Sequence, residues 1–232
     1  MSPNVQPAQE PPAGFVNARL AESARYALLR RLAPSMRHHL VVNLQPIGMI
    51  YEVLERRLKA PEPKLGDIHD SAQKINGFAK AALNSCLDVV TWLAPVEEVL
   101  TTAEAGSREC LDLVASSLAF RGYALRNEVG AVPGQFRRSA IRNVLTAALL
   151  YVTDHTSPPA DLVLCAEPDA TGLLLTLILK PTEGDQGFRA EAGYRPLDWA
   201  DIEALAAAES VGIVREGLQQ VRMSIPWAPP KT

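Results

Sequence analysis

Two histidines stand side by side in Ser35 to Ile50, SMRHHLVVNLQPIGMI, within a run whose apolar residues keep helical spacing. An imidazole can serve as nucleophile, proton carrier or metal ligand near neutral pH, and its direction on the helix decides which. At about 100° per residue, with Leu40 as zero, Leu29, Met36, Leu44, Ile47, Tyr51, Leu54 and Leu58 fall near one stripe, with Leu32 at its edge. On that wheel His38 points outward, about 160° from the stripe, whereas His39 lies roughly 100° away on its flank. A solvated imidazole with a pKa of about 6.5 is mostly neutral at pH 7 and can use a ring nitrogen as nucleophile. Arg30, Arg31 and Arg37 read either as a basic rim around His38 or as an ordinary solvated face, and Val41, Val42 and Gln45 flank it. Asp67, His69 and Asp70 offer donors for a metal but lack a further ligand; Asp67 equally suits a helix cap. Asp154 and His155 end a helical run and are expected at the surface. Trp92 and Trp199 are expected in the core or at a domain contact.

The elements that position these residues follow from periodicity. Asn17 to Leu58 reads as helix, with Pro34 expected to kink or divide it and Pro46 to loosen it. KAPEPKLGD (Lys59 to Asp67) breaks the pattern. A second helix follows through Ile68, Ile75, Phe78, Leu83, Cys86, Val90 and Leu93, ending at Ala94–Pro95. One hairpin offers too little surface for both stripes, so two chains in a four-helix bundle are the expected arrangement. After a polar connector, EEVLTTAEAGS, the order becomes helix, Gly122 turn and strand, then a helix stopped by Pro158–Pro159. A strand hairpin (ADLVLCAEPDATGLLLTLILKP), an Ala-rich helix closed by glycine and a final strand complete it. The fold class is α+β: a helical hairpin, then an α/β sandwich.

This order of parts resembles a bacterial sensor histidine kinase core, in which a dimerisation and phosphotransfer hairpin precedes a Bergerat-type, HATPase-like ATP-binding domain. RHHLVVNLQPI lies on that family's H-box pattern, with His38 in the phosphoacceptor place and His39 in the acidic place. Val42 stands where Asn or Thr is usual and Asn43 where proline is usual. SRECLDLVASSLAFRGYALRNEV is similar to the opening segment of the ATP-binding domain, and SIPWAPP to its closing strand. The resemblance also implies boxes that this chain has altered. In NVLTAALLYV, Asn143 keeps the first magnesium-binding asparagine, but Ala147 replaces the second and Leu150 fills a usually basic place. Asp185 and Gly187 give half of the adenine-contacting segment, Arg189 replaces its second glycine, and the glycine-rich lid is missing. Magnesium needs hard oxygen donors and phosphate cradles need glycines at set positions, so no ATP or other cofactor is expected.

The resemblance extends to histidine phosphotransferases that carry a vestigial ATP-binding domain on a dimeric hairpin. It implies transfer between His38 and the aspartates of response-regulator receiver domains, with His39 as a supporting or alternative residue. A receiver would pack around Val41, Val42 and Gln45, with Arg30, Arg31 and Arg37 steering it. The alternative is a pseudokinase scaffold that binds a receiver or a kinase without accepting phosphate, a reading favoured by Val42 and Asn43. The expected organisation is a leader over 1–14, the hairpin over 15–95 and the degenerate HATPase-like domain over 107–228.

Composition excludes other classes. The 232 residues carry 47% hydrophobic and 21% charged residues and a net charge of −3, so no basic excess points to nucleic acid or an anionic membrane. GLLLTLIL is too short to span a bilayer, and MSPNVQPAQEPPAGF lacks the pattern of a signal peptide. Three scattered cysteines, Cys86, Cys110 and Cys165, read as buried thiols in a reducing cytoplasm.

Overall fold

The computed structural model describes residues 13–94, 99–184, 187–188 and 194–228. Residues 1–12 of the expected leader, and Asp185 and Arg189 of the adenine-contacting segment, lie outside the described residues. Two long helices open the structure, α1 (Ala13–Leu58) and α2 (Leu65–Leu93). Ala13 and Gly14, expected in the leader, already belong to α1. The helix also runs through Pro34 and Pro46 without dividing. Each proline forfeits one backbone hydrogen bond, and packing before and after it keeps the helix continuous. α2 starts two residues before Asp67, behind Lys64, which makes no side-chain cap. Asp67 therefore sits in the first turn, where a carboxylate favours the helix N-terminus, and its carbonyl accepts from Arg57 Nη1 at 2.8 Å.

The single stripe expected along α1 is divided between two partners. Ala24, Ala27, Leu28, Leu32 and Met36 are buried and belong to one hydrophobic core with the α/β part of the chain. Beyond His38, Ile47, Ile50 and Leu54 are half-buried, while Leu44, Tyr51 and Leu58 are exposed. Leu83, Leu87, Val90 and Leu93 of α2 are exposed as well. The hairpin thus presents an apolar face that nothing in the chain covers among the described residues.

The remainder contains β1 (Leu100–Thr101), α3 (Ala103–Phe120), β2 (Tyr123–Asn127), β3 (Phe136–Arg137) and α4 (Arg138–His155). Then come β4 (Ala160–Asp169), β5 (Gly172–Pro181), α5 (Trp199–Ala208), β6 (Gly212–Glu216) and β7 (Gln220–Pro226). The main sheet has the order β2-β4-β5-β7-β6, with β2 and β4 parallel and the rest antiparallel; β1 and β3 form a separate pair. Alternation sets its faces: Leu173, Leu175, Leu177 and Leu179 are buried, whereas Leu174, Thr176 and Ile178 between them are half-buried. Helices therefore cover one side of the sheet. α4 forms the centre of this layer and is buried at every residue from Ala140 to Thr153.

Local chemistry places the boundaries. Thr102 caps α3 by accepting from Ala105 N at 3.2 Å, so the helix begins four residues before the expected domain boundary, inside the connector. Gly122, at φ +89°, supplies the left-handed turn that ends it. Gly172 opens β5 where any Cβ would run into the Ile225 backbone, so only glycine fits. At the end of α5 the left-handed residue is Ser210, φ 58°, and not the expected glycine. β6 has no counterpart in the sequence reading: GIVRE is short and mostly exposed, so its alternation is weak. The thiols also differ from expectation. Only Cys110 is fully buried; Cys86 is exposed and Cys165 intermediate.

Candidate functional site

His38 sits near the middle of α1, just past the point where the helix leaves the shared core at Met36. It is exposed, as the wheel requires, and His39 is half-buried. The two rings stand edge to face with centroids 6.2 Å apart. Neither imidazole has a hydrogen-bond partner among the described residues. Both line a cleft of about 290 Å³ between α1 and α3, together with Pro34 and Ser35 on one side and Leu113, Ser116, Ser117 and Phe120 on the other. The α3 wall was not legible from the sequence, because only packing brings it to the histidines.

The flanking residues separate into three groups. Val41, Val42 and Gln45 are exposed beyond His38, with Val41 and Val42 near half exposure. Asn43 turns to the hairpin interior, where its Nδ2 donates to Ser85 Oγ at 3.0 Å and to the His39 carbonyl at 3.1 Å. Of the arginines, Arg37 is exposed, and Arg30 is exposed with its guanidinium 5.6 Å from the Tyr194 ring centre. Arg31 is not on a rim at all. Its Nη1 and Nη2 donate to the two oxygens of Asp154 at 2.6 Å each, with both side chains less than a tenth exposed. The Asp154 side chain, expected at the surface, is thus buried, because α1 crosses the end of α4 and brings a guanidinium to it. Arg121 adds a second cation at 3.3 Å.

A second network ties α1 to the domain at Glu209, itself buried. Its carboxylate accepts from Ser139 Oγ at 2.8 Å, from Asn143 Nδ2 at 2.7 Å and from Arg25 Nη2 at 3.4 Å. α2 is fastened separately: Arg142 Nη1 donates to Thr91 Oγ1 at 3.0 Å, and its guanidinium lies 4.7 Å from the centre of the buried Trp92 ring. Trp92 is therefore a domain-contact residue, and Trp199 packs half-buried on the core under Arg215.

Of the three α4 positions singled out in the sequence, one carries an oxygen donor and two are apolar. Asn143 donates its amide Nδ2 to Glu209, Ala147 is wholly buried and offers a methyl group, and Leu150 is buried as well. Magnesium takes oxygen donors in near-octahedral geometry; the Ala147 methyl group and the Leu150 side chain supply none, and the Asn143 amide oxygen is the one donor these three positions offer. Asp67, His69 and Asp70 do not converge on a metal site: His69 pairs with Gln73 Nε2 at 2.8 Å. No group of three or more ligating side chains occurs among the described residues.

Several solved structures are similar to this chain. One is the catalytic domain of the histidine kinase ThkA, with 12% identity and a TM-score of 0.44, covering 58% of this chain and 99% of that one. A histidine kinase from Burkholderia phymatum STM815 has 16% identity and a TM-score of 0.42, covering 92% and 99%. A bacterial phosphotransferase has 14% identity and a TM-score of 0.38, covering 93% and 98%. No family model and no curated relative matches the chain. Among the described residues, no helix is long and apolar enough to cross a membrane.

Proposed function

We propose that this chain is a histidine phosphotransferase-like protein of a two-component phosphorelay, acting as a cytoplasmic homodimer and without ATP. His38 would exchange a phosphoryl group with the aspartates of response-regulator receiver domains. The observation that carries this reading is the contrast between two places: an unpaired, exposed His38 at an open cleft, and an α4 face filled by the chain's own side chains. In the transfer step, a lone pair of the neutral imidazole forms the N–P bond as the aspartyl O–P bond breaks. The aspartate leaves as a carboxylate, and the ring N–H proton passes to water. The receiver's own acidic site supplies the electrostatics of the donor side. This chain contributes a presented nucleophile, His39 as its neighbour in the cleft, and the exposed Val41, Val42 and Gln45 as apolar and polar contacts. Arg30 and Arg37 remain available for steering, whereas Arg31 serves the fold.

Homodimerisation is supported by the uncovered face carrying Leu44, Tyr51, Leu58, Leu83, Leu87, Val90 and Leu93. A contiguous apolar surface of that kind in a helical hairpin is what a second hairpin buries. Light scattering at micromolar concentration tests it, and a monomer would overturn it. The transfer reading is tested by mixing the protein, or a His38→Gln variant, with receiver domains phosphorylated on aspartate. Acid-labile label on the wild type that is absent from the variant is the expected result. Label persisting in His38→Gln would move the site to His39. Binding without label from any receiver would favour the scaffold reading, in which Val42 and Asn43 mark a hairpin kept for recognition.

A further inference from the structure

We propose that the vestigial domain forms half of the phosphoacceptor site: Ser116 and Ser117 of α3 hold the phosphoryl group on His38, and Phe120 shelters it from water. This inference rests on the reading of His38 as phosphoacceptor and names what the same site does once loaded. Three observations carry it. First, the serines and Phe120 line the same cleft as His38, so the histidine faces its own chain's α3 and not open solvent on every side. Second, the Ser116 and Ser117 hydroxyls make no hydrogen bond to any described residue. Both serines are exposed, so their hydroxyls are free to turn to a new acceptor in the cleft that the unpaired His38 ring shares. Third, the lining residue Phe120 belongs to an exposed aromatic pair. Phe120 is 59% exposed and stacks on Phe188 with centroids 4.8 Å apart, an arrangement that leaves large apolar area in water beside the histidine.

A phosphoryl group brings a negative charge and three acceptor oxygens. Placed on His38 it enters a cleft whose α3 wall offers hydroxyl donors beside the Leu113 side chain. Hydrogen bonds to a charged acceptor are the stronger class, and they hold the group in one orientation. The competing reaction is hydrolysis: a water oxygen bonds to phosphorus, the N–P bond breaks, inorganic phosphate leaves, and the imidazole nitrogen regains a proton. Attack requires a water in line with the N–P bond, and a group held against α3 with phenylalanines at its rim leaves fewer such approaches. The domain's retained role would then be to prolong the life of the phosphohistidine between donor and acceptor.

The test uses potassium phosphoramidate as donor, so that no cognate receiver is needed. The histidine nitrogen displaces ammonia from phosphorus, and the N–P bond of the reagent is exchanged for that of the protein. Wild-type, Ser116→Ala/Ser117→Ala, Ser116→Thr/Ser117→Thr, Phe120→Ala and His38→Gln proteins are labelled, freed of reagent and followed by phosphorus NMR at pH 7.5. The expected result is a half-life at least about threefold shorter in the alanine double variant, a modest share of the tenfold that 1.4 kcal/mol represents. The threonine variant, which keeps both hydroxyls, should retain the wild-type half-life, and all melting temperatures should agree. Equal half-lives in wild type and alanine variant would overturn the inference while leaving His38 as the phosphoacceptor. Absence of label at His38 in the wild type would instead remove the underlying reading.

Discussion

Replacing Arg31 by alanine removes the strongest link between α1 and the domain, and its cost can be worked from the structure. The guanidinium makes two 2.6 Å hydrogen bonds to Asp154, and the two side chains are 8% and 6% exposed. Removing one partner of a buried pair costs about 3–5 kcal/mol, because the other charge is left without compensation. Here Arg121 Nη2 stays 3.3 Å from Asp154 and offsets part of that loss, so about 3 kcal/mol is the expectation. For a chain of this length each kcal/mol moves the melting temperature by roughly 2–4 °C, giving a fall of about 6–12 °C. The assay is thermal unfolding followed by circular dichroism, with urea unfolding as a second measure. The partner experiment is Arg31→Met/Asp154→Leu, which removes both charges and keeps volume. Apolar replacement of a whole buried pair is often neutral, so the double variant should recover most of the loss. A fall below about 2 °C for Arg31→Ala, or a double variant no better than the single, would refute the reasoning.

Further expectations follow from other sites. Ala147→Asn, which places at that position the asparagine the family resemblance implies, should lower stability by about 2–4 kcal/mol and gain no thermal stabilisation by magnesium-ATP, since it forces a polar group into a fully packed position. A melting temperature that rises with nucleotide would contradict this. Burial pushes the Cys110 thiol up to about 12, so at pH 8 a disulfide reagent should modify exposed Cys86 quickly and Cys110 only after unfolding. Rapid loss of two thiols in native Cys86→Ser protein would show that the interior opens. The Arg195 guanidinium holds the Asp201 carboxyl below its usual range, with Nη1 and Nη2 at 2.7 and 2.8 Å. A lowered folded-state pKa contributes stability above about pH 4 that disappears as pH falls through the folded value. Asp201→Asn should therefore flatten that acid limb, and an unchanged stability–pH slope below pH 4 would argue against the pair.

The sequence made the histidines legible because their message is local. Helical period alone turns His38 outward and His39 to the flank, and the structure places them so. The strand hairpin was equally open to reading, since LVLCAEPDATGLLLTLIL carries both apolar strands and their turn. What could not be read is whatever depends on distant partners. Arg31 sits beside Arg30 and Arg37 in a basic run, and nothing near it announces that Asp154, more than a hundred residues on, will take it out of solvent. Glu209 lies in an unremarked AAES segment, yet it gathers Arg25, Ser139 and Asn143 from two other helices. The apolar stripe of α1 looked single because periodicity reports which face is apolar, not which neighbour covers it. Half of it belongs to the domain core and half to the hairpin.

That division has a mechanical consequence. α1 is one rod of 46 residues, roughly 69 Å at 1.5 Å per residue, and it is a structural member of both halves of the molecule. No swivel lies between His38 and the residues that clamp the domain, only the seven-residue span of helix from Arg31 onward, about 10 Å. To swing across the histidine, the domain would have to tear Arg31 from Asp154 and Arg25 from Glu209, and pull Leu28 and Leu32 from the core. The histidine and its α3 wall are therefore held in one body, and a partner of the kind proposed for His38 would have to travel to it.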